Sequence, residues 1–323
     1  MLRSKLGRVC ATLLAAVAAF SLAGCSFLSD IEELILPTSV TEARDAARDE
    51  TSQAVSDSLL VESGTLTVGI LSTESVPLSI TSSDGTLTGI DVEIAYALAD
   101  ELGLYSVEFV SVTSVESGLE SCDVVMGVTS DDGVTVLGNY AQSALGVFST
   151  DGTTATADEL VSGTVGVQSG SVSEQAASEI GVTTTSTYSN LNEAFEALEA
   201  GEVDYVICDS YAGAYLACSY DDISFAGLID SPETVGVAVS SDSDELHDVV
   251  LDAIENLEYN GIADVIRSRW IGESESLTED DVISGLTTTE STETDETSDT
   301  TTEDVSSDAE SGTDTATDET SAE

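Results

Sequence analysis

Short apolar runs rich in β-branched residues recur along the middle of the chain, and stretches with helical spacing separate them. The strand-like runs are TLTVGIL (65–71), VEFVSV (107–112), CDVVMGV (122–128), GTVGVQ (163–168), VDYVIC (203–208) and TVGVAVS (234–240). The helical stretches are 90–102, EQAASEI (174–180), LNEAFEALEAG (191–201), YAGAYLAC (211–218) and ELHDVVLDAIENLEY (245–259). Strands that alternate with helices predict an α/β fold with largely parallel sheets, and a core of this length suits two lobes.

The beginning of the chain has the composition of an export signal. A basic start precedes an apolar run, 9–22, which is short for a membrane span and ends in the sequence LAGC at Cys25. We interpret residues 1–24 as a lipoprotein signal peptide and Cys25 as the lipidated residue, with an ordinary secretory peptide as the alternative. The chain is then expected on the outer face of the bacterial cytoplasmic membrane, held by its lipid anchor, with residues 25–57 as a stalk.

The end of the chain is predicted to be a disordered acidic tail, 277–323. From Thr287 onward nearly every residue is Thr, Ser, Asp or Glu, with no aromatic and no basic residue. Such a segment cannot bury enough apolar surface to offset the entropy lost on ordering.

The charge of the chain excludes several classes of partner. It has 7 Lys and Arg against 62 Asp and Glu, and a formal net charge of −55 at pH 7. Nucleic acids and anionic lipid surfaces are excluded because each phosphate contact needs a local cation. No Lys or Arg lies between Arg48 and Arg267, and the single histidine is His247. The cysteine spacing fits no zinc pattern, so we predict no metal site and no cofactor.

Four segments in order resemble the polar-amino-acid family of extracellular solute-binding proteins, the receptors of ABC importers. They are GTLTVGIL with DGTLTGIDVEIAYALADELGL, CDVVMGVTS, GTVGVQSGSVSEQAA with AFEALEAGEVDYVICDS, and ELHDVVLDAIENLEYNGIADVIRSRWIG. The resemblance covers roughly residues 60–273 and implies a monomer with the two-lobe type II periplasmic-binding fold. Lobe one would comprise 58–146 and 237–276, lobe two 147–236, and two crossing strands would form the hinge, with the ligand in the cleft.

The start of the predicted helix after GTVGVQ is a candidate anion site. Gly170 permits a tight turn, and the helix begins near Ser171, so its free N–H groups and its dipole would attract an anion without any basic residue.

Asp209 is the candidate receptor for a cation. It stands where the apolar run VDYVIC ends and a helix begins, and in the resembling family this position receives the α-ammonium group of the ligand. An unpaired carboxylate beyond an apolar strand is costly, and the chain has almost no cation to offer it. A helix cap is the alternative role, and the two roles are compatible.

The carboxylate half of the family's site is missing. The resemblance places Gly127, within CDVVMGV, and Thr129 and Asp131, in the loop after it, at the ligand site, and relatives carry an Arg five residues after the Thr. In this chain the residue five positions after Thr129 is Val134. Ser75 likewise stands near Pro77, where relatives place aromatic residues that cover the ligand. A bidentate Arg–carboxylate pair is therefore absent, which favours a ligand richer in amine than in carboxylate.

We therefore expect a lipid-anchored substrate-binding receptor of an ABC importer that binds an amine-bearing small molecule and delivers it to a permease. The alternative is a degenerate binding domain that acts as a surface interaction or sensory module without a transported ligand. An enzyme is not expected, since no histidine lies in the predicted cleft region.

Overall fold

The apolar runs of the sequence form two five-stranded sheets. The computed structural model describes residues 53–73, 75–240, 243–272 and 276–286. The strands are β1 (Thr65–Leu71), β2 (Ile80–Thr81), β3 (Leu87–Thr88), β4 (Ser106–Val112), β5 (Val124–Val128), β6 (Leu137–Ser143), β7 (Leu145–Ser149), β8 (Thr164–Gln168), β9 (Thr184–Tyr188), β10 (Tyr205–Asp209), β11 (Ser224–Leu228) and β12 (Glu233–Val239). The first sheet has the order β4-β1-β5-β12-β6 and the second β11-β7-β10-β8-β9, and β2 pairs with β3 in a small hairpin.

Helices connect these strands, as the alternation of the sequence predicts. They are α1 (Ile90–Glu101), α2 (Val115–Leu119), α3 (Ala157–Ser162), α4 (Val172–Glu179), α5 (Leu191–Glu199), α6 (Ser210–Ala217), α7 (Asp244–Tyr259) and α8 (Ile262–Ile271). Side-chain caps fix several helix starts, among them Ser171 at α4 and Asn190 at α5. No helix in these described ranges is long and apolar enough to cross a bilayer.

Each sheet is mostly parallel, with a single strand in the opposite direction. In the first sheet β12 runs antiparallel to its neighbours β5 and β6, and in the second β7 runs antiparallel to β10 and β11. Both opposed strands are the ones that arrive directly from the other sheet. The α/β class and the largely parallel sheets predicted from the sequence are therefore confirmed.

The chain crosses from one sheet to the other in two short connections between consecutive strands. Ala144 alone separates β6 from β7, and residues 229–232 separate β11 from β12. We call the part built on the first sheet lobe one and the part built on the second sheet lobe two. The apolar core of lobe one includes Leu66, Ile94 and Leu98, and that of lobe two includes Val165 and Ile207.

A third segment, 276–286, also runs from one lobe to the other, and we call it the strap. At its start the side-chain amide of Gln142 donates to Leu277 O at 2.8 Å and accepts from Leu277 N at 2.7 Å. At its other end Ile283 N donates to Leu228 O at 2.9 Å, and the Ile283 side chain is buried in the core of lobe two.

The strap corrects the predicted start of the tail, which placed residues 277–286 in a disordered segment. Leu277 and Ile283 are buried, and Leu286 packs against the lobe-two core. These apolar residues are interspersed with acidic and hydroxyl residues, so the overall polar composition of the segment did not reveal them. The predicted tail from residue 287 onward, the signal peptide, Cys25 and the stalk up to residue 52 lie outside the described residues.

Candidate functional site

The topology brings the carboxyl ends of both parallel sets of strands to the junction of the two lobes, where the sequence predicts the ligand cleft. The single residue Ala144 links the end of β6 to the start of β7. The first residue of β7, Leu145, pairs with Asp209 at the carboxyl end of β10. Near the start of β12, Gly236 pairs with Val128 at the carboxyl end of β5. The crossing segments therefore join these two edges, and the loops beyond β1, β5, β8 and β10 flank the connection.

Asp209 ends β10 and caps α6. Its Oδ1 accepts a hydrogen bond from Ala212 N at 2.8 Å, so the predicted helix-cap role is present in the structure. The side chain is half-buried, and burial raises the pKa of Asp209 from its ordinary value of 3.8 to about 6. The backbone N–H groups of Ala212 and Tyr211 lower this pKa, whereas the nearby charge of Asp230 raises it. The ionised carboxylate is therefore poorly stabilised by its own protein surroundings.

Asp230 is a second carboxylate at this edge, and its side chain is exposed. Its Oδ1 accepts from Leu145 N at 2.7 Å, and Ile229 N donates to Leu145 O at 2.8 Å. Because Leu145 also pairs with Asp209, the two acids lie on opposite sides of strand β7. Burial raises the pKa of Asp230 as well.

Gly170 and Ser171 lie on the other side of Asp209, at the start of α4. Strand β8 runs parallel to β10, so the loop that follows Gln168 is adjacent to Asp209 along the edge. Gly170 has a positive φ of 73°, as its predicted turn requires. Its N–H donates to Glu174 Oε2 at 2.6 Å, and Ser171 Oγ accepts from Glu174 N at 3.2 Å. A carboxylate of the protein itself therefore occupies a donor of the predicted anion site.

Thr129 and Asp131 lie in the loop beyond β5 in lobe one. Thr129 N donates to Asp132 Oδ2 at 2.9 Å, and Ser130 Oγ donates to Glu233 Oε1. Asp131 is exposed in this turn. Here too the protein's own carboxylates occupy donors at the edge of the cleft.

Ser75 lies in the loop that follows β1, the strand beside β5. Its backbone pairs with Ser79, with Ser79 N donating to Ser75 O at 2.9 Å, and its side chain is exposed. The structure thus groups Ser75, Gly127, Thr129 and Asp131 at the edge of lobe one, and Asp209, Gly170 and Ser171 at the edge of lobe two.

A buried hydrogen-bonded chain supports Gly127. Gly127 N donates to the Tyr140 hydroxyl at 2.6 Å, and that hydroxyl donates to Asp91 Oδ1 at 2.7 Å. Burial raises the pKa of Asp91 to about 6, and the bond from Tyr140 opposes this shift. A Cβ on Gly127 would lie 3.0 Å from Asp91 Oδ2, and φ there is +71°. Gly127 is therefore fixed by contacts beneath the loop.

The two arginines in the described part of the chain hold partners on β6, α8 and α1. Arg267 donates from Nη1 to Tyr140 O at 2.9 Å and pairs with Asp264 on its own helix. Arg269 pairs with Glu93 on α1 at 3.2 Å. Val134 is half-buried against the apolar cluster of Val115, Val125, Val128 and Ala238. These positions supply no guanidinium to the candidate site.

Sequence reasoning missed Asp230 and Glu174, although both carry readable signals. Asp230 follows the apolar run FAGLI as Asp209 follows VDYVIC. Glu174 stands three residues after Ser171, the spacing of a capping box at a helix start.

Three known proteins show what this chain is similar to. The L-cystine-binding protein TcyJ of Escherichia coli strain K12 is 30% identical over 229 residues, which is 65% of this chain and 84% of that protein. The structure of an ancestral cationic amino acid solute-binding protein, AncCDT-1, has 28% identity and a TM-score of 0.54, and the match covers 64% of this chain and 96% of that one. The unliganded open L-cystine solute receptor of Neisseria gonorrhoeae has the same fold, with 22% identity and a TM-score of 0.57 over 66% of this chain and 95% of that one. No family model matches the chain.

Proposed function

Because the chain belongs to the amino-acid solute-binding proteins of family 3, with the type II periplasmic fold, we propose that it binds an amine-bearing small molecule in the cleft between its lobes. The relatives named above are binding proteins, and the role proposed here is likewise that of a receptor and not of an enzyme. We infer further that it delivers the ligand to an ABC permease, as a monomer anchored to the membrane through a lipid on Cys25.

The observation that carries the proposal is the environment of Asp209. This carboxylate is half-buried at the cleft edge, burial and the charge of Asp230 raise its pKa, and the described arginines are engaged elsewhere. A ligand ammonium or guanidinium would supply the missing counter-charge and a charge-assisted hydrogen bond. The name of one relative mentions cationic amino acids and that of another L-cystine, and all of these carry amines.

Replacing Asp209 by alanine is expected to weaken binding of an amine ligand by about 1.5–3 kcal/mol, because one hydrogen bond to a charged group is lost. Calorimetry with L-arginine, L-ornithine, L-cystine and spermidine, against L-glutamate, provides the measurement. Asp209→Asn is the matched variant that keeps the size of the side chain. Preferential binding of glutamate, or unchanged affinity in Asp209→Ala, would leave Asp209 as a helix cap only.

The same binding should depend on pH in a defined direction. Asp209 must be ionised to hold a cation, so affinity is expected to fall as pH drops through about 6, the raised pKa of this group. The unliganded protein should show the opposite trend. Between the ordinary value of 3.8 and about 6 its native carboxyl binds a proton that the unfolded chain does not bind, so this group adds stability as pH falls. Asp209→Asn should remove the pH dependence of binding and this group's share of the pH dependence of stability, whereas the share of Asp91, whose pKa is also raised to about 6, should persist.

The lipid anchor has its own test. Cys25→Ser removes the thiol that would be acylated, so this variant is expected to appear in the soluble fraction of the producing cells. Cys218→Ser, at an exposed cysteine of α6's C-terminal end, is the matched control and should stay with the membranes. A Cys25→Ser protein that still sediments with membranes in high salt would contradict lipidation at this residue.

A further inference from the structure

Carboxylates recur along the whole cleft edge of the second sheet. One carboxylate lies at or beyond the carboxyl end of each of four strands. Each of them accepts a hydrogen bond from a backbone amide. They are Asp230 after β11 (from Leu145 N, 2.7 Å), Asp209 at the end of β10 (from Ala212 N, 2.8 Å), Glu174 after β8 (from Gly170 N, 2.6 Å) and Glu193 after β9 (from Ser189 N, 3.2 Å). Neighbouring strands lie about 4.8 Å apart, so the elements that carry these carboxylates follow one another along the edge at one or two strand spacings.

Internal carboxylates also occupy two of the backbone amides that could otherwise receive a ligand carboxylate. With no arginine directed at this site, backbone N–H groups at the loop ends and helix starts are the main receptors for an anion, together with Ser and Thr hydroxyls. On lobe two Glu174 takes the N–H of Gly170, and on lobe one Asp132 takes the N–H of Thr129. An entering carboxylate would therefore meet a like charge at both places.

These bonds are ordinary helix caps in origin. Glu193 makes the bond that Glu174 makes, to the amide four residues earlier, Ser189 N at α5, and Asp281 makes the bond that Asp132 makes, to the amide three residues earlier, Thr278 N in the strap. The caps of α4 and of the Thr129 turn differ only in their position, because they lie beside Asp209 and at the facing edge of lobe one. Their consequence for a ligand follows from this position.

We propose that the cleft selects amine or guanidine cations that carry no carboxylate, with Glu174 as a residue that determines this specificity. The inference rests on the proposed role of Asp209 as an amine receptor. Asp209 and Asp230, on opposite sides of β7, suit a ligand with two cationic groups. Glu174 excludes the carboxylate that an α-amino acid would carry next to its ammonium group.

The test compares ligands that differ only at the carboxylate. L-Argininamide keeps both cationic groups of L-arginine and neutralises its carboxylate, and agmatine lacks the carboxylate altogether. Calorimetry on the full chain should give at least about tenfold tighter binding for both than for L-arginine, a difference of about 1.4 kcal/mol. The preference should persist in about 0.5 M salt, which screens the long-range field of the acidic chain but not a local contact.

Variants at Glu174 connect the preference to this residue. Glu174→Gln keeps a helix cap without a charge, and Glu174→Ala removes the cap. Both variants should strengthen L-arginine binding several-fold and reduce the difference in affinity between L-arginine and L-argininamide. Glu193→Gln, at the same kind of cap one strand further from Asp209, should leave the ratio unchanged.

L-Arginine binding as tightly as argininamide in the unaltered chain would overturn this inference and leave the amine site intact. An unchanged ratio in both Glu174 variants would overturn the role of Glu174. If neither these cations nor L-ornithine, L-cystine or spermidine binds, the proposed function itself fails, so the two failures are distinguishable.

Discussion

Replacing Gly89 by alanine is expected to prevent lobe one from reaching a stable fold, with a loss above about 4 kcal/mol in the free energy of unfolding. Gly89 precedes α1 with φ +134° and ψ 177°, a conformation that is essentially restricted to glycine. A Cβ there would lie 2.1 Å from the backbone oxygen of Leu78 and 2.9 Å from that of Pro77.

The close approach at Gly89 has a structural reason. The first amides of α1 donate to these same carbonyls, Ile90 N to Pro77 O at 3.1 Å and Asp91 N to Leu78 O at 3.0 Å. The backbone cannot move away without breaking these bonds, so the clash cannot be relieved cheaply. The substitution would also displace Asp91 and, through Tyr140, the support of Gly127.

Gly85→Ala is the matched control for Gly89→Ala. Gly85 lies in the same loop region with φ +84°, but a Cβ added to it would meet no atom within 4 Å. Only the left-handed backbone then opposes the substitution, at a cost of about 1–2 kcal/mol. Urea unfolding of both variants provides the measurement. A Gly89→Ala variant that is destabilised no more than Gly85→Ala would show that the contact with Leu78 is not rigid.

The sequence predicts the strongly apolar elements well, because burial on both faces leaves a continuous run of β-branched residues. TLTVGIL becomes β1 over the same residues, and VDYVIC becomes most of β10. The strands it does not reveal lie at sheet margins or next to a lobe crossing. TTSTY (β9) is an edge strand with exposed threonines, and LGNYAQS (β6) mixes polar and apolar residues just before Ala144.

The candidate site divides in a similar way. Asp209 is predictable because a carboxylate at the end of an apolar strand is a local signal. Its relation to Asp230 is not, since residues 209 and 230 become neighbours only through Leu145, on a strand that arrives from the other lobe. The occupation of Gly170 N by Glu174 follows from a capping pattern, but its effect on a ligand depends on the position of α4 beside β10. The local sequence pattern therefore predicts individual site residues, and the pairing of distant strands determines which of them become neighbours.

Truncation of the chain after Asp281 is expected to lower the free energy of unfolding by about 2–5 kcal/mol, the usual cost of removing a buried large aliphatic side chain. The truncation removes Ile283, which is 4% exposed, and Leu286, which packs against the same core. It also removes the bond from Ile283 N to Leu228 O at 2.9 Å.

The surroundings of Ile283 make this loss difficult to relieve. Gly227 has φ +133°, and a Cβ on it would lie 2.7 Å from the Ile283 side chain, so β11 is shaped around this residue. The core it fills also contains Val147, Val165 and Ile207, which belong to three strands of the second sheet. Without Ile283 the apolar side chains around it lose their packing partner, and water cannot replace these contacts favourably.

A second truncation, after Leu286, is the control that separates the strap from the rest of the chain. It keeps the strap's contacts with both lobes and removes only the Thr, Ser, Asp and Glu-rich residues 287–323. For a protein of this size, 2–5 kcal/mol corresponds to a fall of roughly 4–20 °C in melting temperature, measurable by calorimetry. The full-length Ile283→Ala variant should reproduce most of the loss caused by truncation after Asp281. Equal melting temperatures for the two truncated proteins would show that residues 282–286 of the strap do not stabilise lobe two.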